Sequence, residues 1–81
     1  EAYPNPFGAR MQIRMGVPRP GPVRLTLYDV LGREVLCLYE GEQAAGWHNQ
    51  AWDVSQLASG LYVLVLEGEG FRTTKTMVKV R

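Results

Sequence analysis

This sequence is short of the side chains that do chemistry. Its 81 residues include one cysteine, Cys37, and one histidine, His48. A lone cysteine closes no internal disulfide, so Cys37 is expected to serve as a small hydrophobe, buried or half-buried. One Cys and one His give no zinc-ligand spacing. The acidic residues Asp29, Glu34, Glu40, Glu42, Glu67 and Glu69 fall in turns and strand margins, without the spacing of a calcium loop. His48, Asp53, Ser55 and Ser59 are the residue types of a nucleophilic triad, yet nothing in their spacing sets a nucleophile on a strained elbow. No catalytic residue, metal or cofactor is expected.

An excess of charge of one sign is also missing. The formal net charge is +1 with both signs interspersed, which provides neither a basic stripe for nucleic acid nor a polybasic patch for a membrane surface. The longest apolar runs, such as residues 61–66, are far short of the roughly 20 residues a membrane-spanning helix needs. No signal peptide is recognisable and the chain opens on Glu1, so it is read as a piece of a longer protein. Helical periodicity is nearly absent as well: no window of a dozen residues keeps apolar residues at three-and-four spacing.

What recurs instead is alternation with period two, the mark of a strand with one face on a core. Residues 11–17 put Met11, Ile13, Met15 and Val17 on one face. The three prolines of residues 18–22 then predict a loop. A second strand over 23–30 and a third over 33–39 form a hairpin of sequence LTLYDVLGREVLCLY. Asp29 opens its turn by bonding its own backbone, and Gly32 closes it at positive φ. Residues 40–46 read as a loop, and 47–52 as a strand with His48, Gln50 and Trp52 on one side. Residues 53–60 hold at most a helical turn capped by Asp53 or Ser55. The near-continuous apolar run 61–67 predicts a central strand. A turn at 68–70 leads to the closing strand 71–81. These elements predict a single all-β domain over 1–81: a small immunoglobulin-like antiparallel β-sandwich of about six to seven strands.

Three stretches stand outside this pattern. Residues 1–8 are a Pro-rich lead-in, where Pro4 and Pro6 fix their own φ and push Tyr3 and Asn5 toward extended backbone. They are expected to make a rigid, unpaired joint that keeps an upstream domain from running its last strand into this sheet. Trp47 has the parity opposite to the inward-facing Trp52, which makes it the candidate for ligand stacking, with a sugar ring as the natural ligand. The closing strand mixes cations with β-formers up to the terminus. Lys75, Met77, Val78, Lys79, Val80 and Arg81 either guard a sheet edge against pairing or offer it to a protein partner.

Taken in order, Tyr3-Pro4-Asn5-Pro6-Phe7, Leu27-Tyr28-Asp29-Val30-Leu31-Gly32-Arg33-Glu34-Val35, Gly46-Trp47-His48, Trp52-Asp53, Ser59-Gly60-Leu61-Tyr62 and Lys75-Thr76-Met77-Val78-Lys79 resemble the C-terminal sorting domain of the type IX (Por) secretion system. The YDxxGR and WD…SGxY pieces are shared with the immunoglobulin-like domain of flagellar hook-capping proteins. That domain usually carries WDG, whereas here Val54 follows Asp53. Gln50 and the heavy proline content of 18–22 depart from the sorting-domain pattern.

The resemblance implies a non-catalytic secretion and surface-anchoring signal at the C-terminus of a larger exported protein. Its partners would be the outer-membrane secretion machinery, a sortase-like peptidase and the upstream domain of the same chain. Its destination would be the outer-membrane surface or the extracellular space, reached through the periplasm. Residues 75 and 77–81 are then the expected recognition signal. A carbohydrate-binding accessory module and a structural module of a flagellar cap are the alternatives.

Overall fold

The computed structural model describes residues 2–3 and 8–80. Seven strands run in chain order: β1 (Ala2–Tyr3), β2 (Arg10–Val17), β3 (Gly21–Asp29), β4 (Glu34–Gln43), β5 (Gly46–Asp53), β6 (Gly60–Gly68) and β7 (Phe71–Lys79). They form two sheets, a three-stranded one in the order β1-β2-β5 and a four-stranded one in the order β4-β3-β6-β7, with every pairing antiparallel. The immunoglobulin-like sandwich read from the alternation is the fold observed.

The core follows from that alternation. Met11, Ile13, Met15 and Val17 of β2 are all buried, whereas the intervening Gln12 and Arg14 face water. The opposing sheet contributes Val23, Leu25 and Leu27 from β3 and Tyr62, Leu64 and Leu66 from β6. Register aligns them: Leu25 lies across from Leu66, and Leu27 from Leu64. Each buried Leu contributes about 1.5–3 kcal/mol relative to leaving it exposed. β6 is central, with Val65 buried on the face opposite Leu64 and Leu66.

The turns behave as their residues dictate. Asp29 Oδ1 accepts from the Leu31 and Arg33 amides at 2.9 and 3.0 Å, and Gly32 sits at φ 82°, a conformation that a Cβ disfavours. Residues 53–60 form no helix. The Ser55 amide donates to Asp53 Oδ1, and the Leu57 amide to the Val54 carbonyl, which drops Val54 into the core.

Four expectations are corrected. Gly21 and Pro22 belong to β3 and pair with Gln43 and Glu42, so β4 extends through most of the expected loop 40–46. Proline is tolerated there because it lies at the start of the strand. Cys37 is exposed rather than buried. Two register shifts between β3 and β4 leave Val35 and Leu38 without an opposite residue and set Cys37 across from Thr26, on the outer face of the sheet, so that Leu36, Leu38 and Tyr39 take the contacts with the core. The Pro-rich lead-in does not keep the chain out of the sheet. Ala2 and Tyr3, ahead of both prolines, pair with Ile13 and Gln12, while residues 4–7 lie outside those described. The closing strand stops at Lys79, with Val80 beyond it and Arg81 outside the described residues.

Candidate functional site

β7 follows a hairpin from β6 and ends the four-stranded sheet. Antiparallel pairing of Leu61 with Val78 and of Tyr62 with Met77 fixes which way each residue of the tail faces. Met77 lies across from the inward-facing Tyr62 and is 0% exposed. Lys79, on the same side, is 5% exposed, and its Nζ donates to the Val80 carbonyl at 3.1 Å. Val78 and Val80 are 38% and 42% exposed. Lys75 is exposed at the edge of the sandwich. Of the residues expected to form a recognition signal, Lys75, Val78 and Val80 therefore present side chains to solvent, Met77 and Lys79 hold the strand on the core, and Arg81 lies outside the described residues.

The exposed large hydrophobics are unevenly placed. Among the described residues they are Val30, Leu31, Val35, Trp47, Leu61, Val78 and Val80. Tyr28 pairs with Glu34, Asp29 with Tyr62, and Leu61 with Val78, so the β3–β4 turn, the start of β6 and the end of β7 share one end of the four-stranded sheet. All the exposed large hydrophobics except Trp47 lie at that end. Period-two reading of the tail separates Val78 and Val80 from Met77 and Lys79, but only the strand register shows that Val30, Leu31, Val35 and Leu61 join them.

Trp47 stands at the opposite end. It faces outward from β5, 61% exposed, and its ring crosses Gly16 on the neighbouring strand, where a Cβ would come within 2.8 Å of it. The Arg14 guanidinium carbon is 4.3 Å from the ring centroid, so a cation already occupies one ring face. The residue types of the considered triad are used locally. His48 Nε2 donates to the Ala44 carbonyl at 2.7 Å, and Asp53 accepts from the Ser55 amide. That amide is the main reason the Asp53 carboxyl is held below its ordinary 3.8. In the same way, the Arg33 amide is the main influence holding Asp29 below that value.

The fold is that of a small immunoglobulin-like all-β module whose outermost strand, β7, ends among exposed apolar side chains. The family model of the secretion-system C-terminal sorting domain matches residues 1–80, and the chain belongs to that family. No solved structure matches it. The domain is a type IX secretion sorting signal, a non-catalytic element that directs export to the outer-membrane surface or the extracellular space and engages the secretion machinery.

Proposed function

We propose that the secretion machinery at the outer membrane reads this domain at the apolar end of the four-stranded sheet, with Val78 and Val80 as the central contacts and Leu61, Val30 and Leu31 around them. The clustering of exposed apolar side chains at the end of β7 is the observation that supports this reading, since isolated exposed apolar residues are ordinary and a cluster of them marks an interaction surface. Lys75 lies across from the core-facing Leu64, on the other face of β7, and is left out of this surface. A sortase-like peptidase would act on the chain ahead of Ala2, leaving the sandwich intact.

Deleting residues 76–81 is a blunt test, because it removes Met77 from the core together with the outward residues. The sharper test is the double substitution Val78→Asp and Val80→Asp in the full exported protein. The expected result is an unchanged melting temperature with the protein retained in the periplasm, measured by cell fractionation. Normal export of that variant would exclude this surface as the one recognised.

A further inference from the structure

Between β2 and β7 runs a groove of about 330 Å³ that no described strand covers. Met15, Leu64 and Leu66 line its apolar interior, and Trp47, Thr73 and Lys75 stand along it. It exists because β1 is so short. β1 pairs only with Gln12 and Ile13, so Met15, Gly16 and Val17 have β5 on one side and no described strand on the other.

We propose that this groove is filled by the chain's own segment immediately ahead of Glu1, which lengthens β1 along the rest of β2. The antiparallel register fixes the placement. Ala2 faces Ile13 and Tyr3 faces Gln12, so the same register continued upstream brings the three residues that precede Glu1 opposite Met15, Gly16 and Val17. Directly opposed residues in such a pair point to the same face. Met15 and Val17 point into the core. The proposal therefore calls for apolar side chains at the first and third residues ahead of Glu1, to complete the floor lined by Met15, Leu64 and Leu66. A domain named for its C-terminal position follows the protein it sorts, so such a segment exists in the exported protein; in this respect the inference rests on the sorting role.

The test compares two full-length proteins by amide hydrogen exchange with mass spectrometry: the natural one, and one in which the ten residues ahead of Glu1 are replaced by Gly and Ser. Peptides covering residues 10–17 report on the free side of β2. The proposal expects exchange in the natural protein to be at least tenfold slower across residues 15–17. Equal exchange in the two proteins overturns it, whether or not the domain still directs export. A second copy pairing on the same edge, or an upstream domain resting over the groove, would protect both proteins alike and gives that overturning result.

Discussion

Asp29 accepts hydrogen bonds from the Leu31 amide, the Arg33 amide and Arg33 Nε, the last at 2.9 Å, and so holds the β3–β4 turn with one charged group. Because these donors favour the ionised form, the folded pKa lies below the ordinary 3.8, and the carboxylate stabilises the fold at neutral pH. That contribution is fully present above 3.8 and disappears as pH falls through the depressed folded value. Asp29→Ala should therefore melt below the parent at pH 7, by a margin that narrows as pH is lowered below 3.8. A margin that stays constant through that range would show that the charge is not what matters. Thr26 makes a second residue-scale case. Its Oγ1 is buried with no hydrogen-bond partner among the described residues, in a row where Thr26 lies between Cys37 and Val65. Thr26→Val keeps the β-branch and the volume while removing the stranded hydroxyl, and should raise the unfolding free energy by about 1 kcal/mol in urea titration. A loss of stability would mean that the hydroxyl is satisfied in solution. Asp29 was legible in the sequence because its partners lie within four residues of it. The isolation of Thr26 was not, because it depends on which residues of two other strands are its neighbours.

At the scale of the strand, β7 separates fold from function by parity. Met77→Ala opens a cavity in the core and should cost about 2–5 kcal/mol in equilibrium unfolding. Val78→Asp changes an outward position and should stay within about 0.5 kcal/mol of the parent. Comparable losses from the two substitutions would contradict the register of β6 and β7. Alternation made β2 and the core-facing half of β3 readable, because apolar residues there recur at every second position, and the near-continuous apolar run of β6 marked that strand as central. It failed where the buried face thins. Residues 40–43 of β4 carry no apolar side chain, and their strand character comes from ladder bonds to Gly21 through Arg24. Cys37 was misjudged because its side depends on register shifts that edge strands tolerate and that no composition signals. β1 is too short for any period to appear, and its pairing with β2 places chain ahead of the prolines inside the sheet.

On the scale of the whole molecule, two sheets with a shared core hold the last strand in one defined orientation, and the recognition surface proposed above is a folded one rather than a linear tail. The sequence resemblance pointed to the tail as the signal; the structure divides that tail between the core and the surface and brings distant turn residues to the same end. Reading the signal as a surface makes export depend on the sandwich being folded. The most direct measurement fuses residues 1–81 to a periplasmic reporter in a bacterium with type IX secretion and follows the share of reporter reaching the surface or medium. It is made for the intact domain and for Leu27→Asp, which breaks the core and leaves residues 70–81 untouched. The intact fusion should be exported and the Leu27→Asp fusion retained in the periplasm. Equal export of the two would show that an unfolded tail suffices and would contradict the account.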